Sequence, residues 1–282
     1  MGVVAFGVLF AALTAIAILG SHQKLADITR KLLPGKSALI SKKGSQSEKN
    51  ETDHATRAQF MRNLVKDGYN NSDYAEKFRT DSTPRPFERQ LFDRFFSLLP
   101  SQPTILDLGC GPGLPYDRYM VDKGARLRGV DVSGKHVRLA RRNVPEAEFV
   151  EADFSKWTTS QAFDGITCMY AFFHIPREEH GAFFEHITQM IADGGAIMTT
   201  LTHQEVGGAS HLWMGTPMEW STYAPEYYLQ LFNRLGFSIV HVADQREENP
   251  SEKHLWVIAQ RQKGLQTDSV SSSVNAWGTA IE

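Results

Sequence analysis

Cysteine is almost absent: the 282 residues include two, Cys110 and Cys168, and each falls in an apolar run. That excludes a disulfide framework, and no cluster of Cys, His, Asp and Glu has the spacing of a zinc site, so no metal is expected. Charge of one sign is also missing. A net charge of −2 gives no footprint for nucleic acid, and 41% hydrophobic residues exclude a disordered chain. No segment repeats itself. The length suits one α/β domain with appendages rather than two full domains.

Long apolar runs are lacking too, with one exception. Residues 2–20, GVVAFGVLFAALTAIAILG, carry no charge and a single hydroxyl, Thr14. As a helix this run reaches about 28 Å, close to the hydrocarbon thickness of a bilayer. Basic residues follow it: Lys24, Arg30, Lys31, Lys36, Lys42, Lys43 and Lys49 face only Asp27 and Glu48 before residue 50. A cleaved signal peptide would place its basic residues first. The order predicts a single-pass membrane anchor over residues 1–22, with the remainder on the cytosolic side of an intracellular membrane. Residues 23–56 are polar and basic without sustained periodicity and read as a tether, and residues 262–282 lack an apolar face and read as a flexible tail.

Between them, residues 57–261 alternate strand-like runs with helical patterns, as in a parallel sheet covered by helices. The runs TILDLG (104–109), LRGVDV (127–132), AEFVEAD (147–153), FDGITCMYA (163–171) and GAIMTTLT (195–202) are the first five strands. The last two, FSIVHVA and HLWVIAQ, are joined only by DQREENPSEK, too short for a helical crossover, so they should form an antiparallel hairpin. The expected fold is α/β: a Rossmann-like doubly wound sheet of about seven strands, mostly parallel, with one antiparallel strand near the end. RAQFMRNLVKDGY and RPFERQLFDRFFSLLP read as amphipathic helices and make residues 57–100 a helical lid, from which Tyr69 and Tyr74 are candidates to close over a ligand.

The stretch DLGCGPG places Gly109, Gly111 and Gly113 after a strand and ahead of a helix. Such a loop presents free backbone N–H groups, and its glycines let a ligand approach the main chain. A pyrophosphate fingerprint wants a glycine or alanine where this chain has Leu114. Asp107, just ahead of the loop, would repel a pyrophosphate and attract an ammonium. Asp107, Asp131 and Asp153 fall at the carboxyl ends of successive strands, where such sheets bind ligands. Together they can accept hydrogen bonds from an ammonium, a diol and an exocyclic amine.

With DLGCGPG, GVDVS, EADF and FDGITCMYAFFHI in this order, residues 85–261 resemble the class I S-adenosylmethionine-dependent methyltransferases of the small-molecule type. The resemblance implies S-adenosyl-L-methionine as cofactor. Asp107, Gly109, Gly111 and Gly113 would hold its methionine end, Asp131 and Val132 its ribose, and Asp153 and Phe154 its adenine, with Tyr170 at the end of the fourth strand. A member that binds the cofactor but steers a cyclisation without methyl transfer would carry the same motif. A nicotinamide-dependent oxidoreductase is disfavoured by Leu114, Asp107 and the terminal hairpin.

Methyl transfer needs positioning and a base for the acceptor's proton. His174, in YAFFHIP, and His211, in GGASHLWMGTPMEW, are the candidate catalytic residues. His203, Trp213, Met214 and Trp220 are candidates for an acceptor pocket, the last three from the glycine- and proline-containing connection 207–223. The DPPY-type tetrapeptide of members that methylate nucleic-acid or glutamine amino groups is replaced by YAFF. The expected acceptor is therefore a small, hydrophobic molecule, with O-methylation favoured.

Overall fold

The computed structural model describes residues 46–264. The chain parts between His54 and Ala55 into two units, and the fold and site described below belong to the second. The expected anchor over residues 1–22, the tether before Gln46 and the tail from residue 265 onward lie outside the described residues. Among the described residues, no helix is long and apolar enough to cross a membrane.

In chain order the helices are α1 (Gln46–Asn71), α2 (Tyr74–Phe78), α3 (Pro86–Phe96), α4 (Tyr116–Asp122), α5 (Gly134–Asn143), α6 (His180–Met190) and α7 (Pro225–Arg234). The strands are β1 (Thr104–Leu108), β2 (Arg126–Asp131), β3 (Glu148–Glu151), β4 (Phe163–Cys168), β5 (Ile191–Thr202), β6 (Val206–Trp213), β7 (Thr216–Thr222), β8 (Phe237–Asp244) and β9 (His254–Arg261). Helix α1 starts inside the stretch expected to be tether. Its first turns lack proline and glycine, and farther along Ala58, Met61 and Val65 bury one face at helical spacing.

Seven strands form one sheet in the order β3-β2-β1-β4-β5-β9-β8. The β1–β2, β2–β3, β1–β4 and β4–β5 pairs are parallel, whereas β9 runs antiparallel to both neighbours. Only β9 is reversed, one place in from the edge. The two-residue period sends Ile105, Met198, Trp256 and Ile258 to the face under α3, α4 and α5. It sends Leu106, Ile197, Val257 and Ala259 to the face under α6 and α7.

Phe184 of α6, 1% exposed, lies among the rings of Phe172, Phe183, Tyr228 and Phe232 at centroid distances of 5.3, 5.0, 6.1 and 5.0 Å. A packed aromatic ring of this kind leaves a cavity when truncated. Phe184→Ala is expected to destabilise the fold by about 3–5 kcal/mol, read from the midpoint of urea unfolding.

The connection 207–223, read from sequence as a loop, is a second, two-stranded sheet. Strands β6 and β7 pair antiparallel, with His211 opposite Met218 and Trp213 opposite Thr216. Met214 and Gly215 both take positive φ, 50° and 79°, which turns the chain in two residues.

Candidate active site

The carboxyl ends of β1, β2 and β4 converge on a cavity lined by Asp107, Gly109, Gly111, Asp131, Val132, His136, Phe154, Tyr170 and His174, and covered by Tyr69, Tyr74 and Arg79. It is narrow, about 60 Å³. The glycine loop is built by conformation. Gly109 has φ +82°, and a Cβ there would stand 2.3 Å from the Ala171 Cβ. Gly111 has φ +57° and open space where a Cβ would project, leaving its backbone accessible. The Gly111 amide donates to Asp131 Oδ2 at 2.9 Å, and the Ser133 amide donates to Oδ1 at 2.8 Å. Asp131 thus ties the loop to the start of α5. Asn70, at the end of α1, accepts from the Ser133 hydroxyl at 2.8 Å and from the Lys135 amide at 3.2 Å, which binds the covering helix to the same corner.

Arg79 follows α2 and lies over three tyrosine rings, those of Tyr116, Tyr74 and Tyr170, at 5.3, 5.4 and 5.7 Å. Its Nε donates to the Tyr74 hydroxyl at 2.7 Å. Two acids and one arginine therefore share a single cavity. No local pattern marks the arginine, because three separate segments supply its tyrosines.

His174 ends a short 3₁₀ turn after β4. Its Nδ1 lies 3.1 Å from the Glu219 carbonyl and its Nε2 lies 2.9 Å from the Tyr69 hydroxyl. A carbonyl can only accept, so Nδ1 carries the proton and Nε2 accepts from Tyr69. Burial lowers the His174 pKa to about 4, so the ring is neutral at physiological pH. Burial also raises the Tyr69 hydroxyl well above its ordinary value.

Tyr69, Tyr74, Arg79, Tyr116, Tyr170 and His174 also line a second, open cavity of about 1100 Å³. Phe173, Trp213, Met218 and Trp220 wall it, with His203, Lys77 and Lys253 among its polar lining. Trp213 reaches from β6 to the rings of Tyr69 and Tyr74, 5.6 and 5.3 Å away. His203 Nε2 is bound to Asp244 Oδ1 at 3.1 Å.

Three residues singled out from sequence lie elsewhere, and the side chain of a fourth is not described. Asp153 lines neither cavity; Arg62 of α1 takes its Oδ2 at 2.8 Å, and the Ser155 amide and hydroxyl take Oδ1 at 2.9 and 2.7 Å. Gly113 is packed beneath the loop, where a Cβ would meet the Ala140 backbone at 3.2 Å. Met214 sits in the β6–β7 turn and lines neither cavity. His211 belongs to β6, and its side chain lies outside the described residues. Among the described residues, no group of three or more His, Cys, Asp or Glu could hold a metal ion.

Residues 105–195 match a family described as "Methyltransferase domain". A trans-aconitate 2-methyltransferase of Escherichia fergusonii is 33% identical over 97 residues, 33% of this chain and 36% of the relative. The chain thus spans about a third of the length of the curated relatives it matches. Among solved structures, a 1,6-didemethyltoxoflavin-N1-methyltransferase of Burkholderia thailandensis with bound S-adenosylhomocysteine aligns with TM-score 0.54 at 16% identity, covering 82% of this chain and 94% of that one. A magnesium protoporphyrin IX methyltransferase of Synechocystis with bound S-adenosylmethionine aligns with TM-score 0.54 at 17% identity, covering 72% and 97%. These structures share the fold. Residues 105–195, the stretch that matches the methyltransferase domain, carry the glycine loop after β1 and the acid ending β2, and the reversed β9 completes the sheet beyond them.

Proposed function

We propose that the chain holds S-adenosylmethionine in the first cavity and methylates a small organic molecule in the second. The observation that carries this reading is the shared wall: Tyr69 and His174 face both spaces. The lining suits the cofactor's charges, since Asp107 can take its ammonium, Asp131 its ribose diol and Arg79 its carboxylate. The cofactor exceeds the free space of the narrow cavity, so binding requires the covering side chains to move apart.

When bound, the cofactor supplies an electrophilic methyl group for in-line displacement. The acceptor's hydroxyl proton passes to the Tyr69 oxygen while the Tyr69 proton passes to His174 Nε2, and the Glu219 carbonyl keeps the imidazole oriented through Nδ1–H. Aromatic walls suit an apolar acceptor body. Lys77 and Lys253 in the lining favour an acceptor that also carries an anionic group.

Calorimetric titration with S-adenosylhomocysteine, followed by mass spectrometry of lipophilic carboxylic and phenolic candidates incubated with S-adenosylmethionine, tests the reading. Binding with a product one methyl group heavier is expected. Absence of cofactor binding would end it; binding with no S-adenosylhomocysteine formed from any candidate would favour the non-transferring alternative.

A further inference from the structure

Asp117 stands in the first turn of α4 and is 1% exposed, with no hydrogen-bond donor on either carboxylate oxygen. Asp107 is the neighbour whose side chain and charge act on it most. Asp107, 3% exposed, faces the first cavity and accepts from the Thr167 hydroxyl at 2.6 Å. Two ionised carboxylates in contact and shut away from water repel each other strongly, whereas one proton between them turns the contact into a short O–H···O⁻ bond.

We propose that Asp117 carries this proton as a neutral carboxylic acid, donates it to Asp107, and so positions Asp107 as the one anion that meets the cationic end of the cofactor. Asp117 is a positioning residue, acting through Asp107. The charged and titratable groups facing the pair are Asp131 from β2, Cys110 from the glycine loop and Arg79 from the covering segment. Asp131 disfavours a second negative charge, and Arg79 favours the charge on Asp107. Burial is the largest cause holding Asp117 well above the ordinary carboxylate range, and it raises Asp107 too. A carboxyl group buried without donors on its oxygens weakens the fold, so its presence here makes sense through what it does for Asp107.

The proton has a thermodynamic signature. A carboxyl group whose folded pKa lies above its unfolded value of about 3.9 releases a proton on unfolding, so the native chain loses stability as pH rises from about 4 toward that folded value. Asp117→Asn keeps a donor toward Asp107 and cannot ionise. Its melting temperature should match that of the native chain near pH 4 and exceed it by about 5–10 °C at pH 7.5. A difference that does not change with pH would overturn the proposal.

The positioning role rests on the cofactor reading above and is tested separately. Asp117→Asn should bind S-adenosylhomocysteine within about threefold of the native chain, while Asp117→Leu, which removes the donor, should bind about tenfold more weakly. Equal affinity of the leucine variant would overturn the positioning. If the native chain itself fails to bind, the cofactor reading falls, and the melting comparison still reports whether Asp117 holds its proton. If the leucine variant does not fold, infrared difference spectra of the asparagine variant against the native chain decide: a protonated-carboxyl band lost with Asp117 supports the proposal, and its absence overturns it.

Discussion

Replacing Asp131 by alanine is expected to lower affinity for S-adenosylmethionine by about 100-fold or more. The carboxylate is 7% exposed and accepts two backbone amides, Gly111 and Ser133, while lining the narrow cavity. Its removal takes the acceptor from the ribose diol and leaves two loop amides without a partner. Bonds to a charged acceptor contribute about 1.5–3 kcal/mol each, so losing two amounts to about 3 kcal/mol or more, consistent with that factor. Calorimetry with S-adenosylhomocysteine measures it, with circular dichroism to show that the variant folds. A loss below about fivefold would remove Asp131 from the cofactor site.

The second large effect concerns the proton. His174→Ala and Tyr69→Phe should each lower kcat by about 10²–10⁴-fold, and the double variant should be little slower than either, because both break one relay. Two single effects that multiply would argue against a shared path. The pH profile adds an independent check: with the His174 pKa lowered to about 4, the base is available throughout the neutral range, and the rate should fall only as pH drops through about 4. A break near 6.5 would mean an imidazole exposed to water and not held as described. The fold itself is stressed in the same direction. His174 and His180, both lowered to about 4, take up protons on unfolding, so stability declines as pH falls from about 6.5 toward 4. The acid limb of the rate must therefore be measured with the folded fraction in view.

The strands and the acid rim were legible because their causes are local. Short apolar runs mark β1 through β5, and Asp107 and Asp131 follow directly from where two of those strands end. The hairpin was hidden because β6 begins with glycines and β7 contains Pro217, and breakers mask a two-residue period. Its turn uses Met214–Gly215 rather than the usual Asn-Gly pair. Asp153 lines neither cavity for a different reason. It sits near the strand end where an adenine contact would be sought, but Arg62 arrives from a helix far away in sequence and claims it. Asp117 looks like any acid in a first helical turn; only the tertiary fold shuts it from water.

The small sheet β6–β7 pairs with no strand of the large one, yet Trp213, Met218 and Trp220 on it wall the open cavity. Residues 206–222 can thus be exchanged without breaking a hydrogen bond between strands of the central sheet. Such a layout lets the wall of the open cavity change while the strand ends that form the narrow one stay in place.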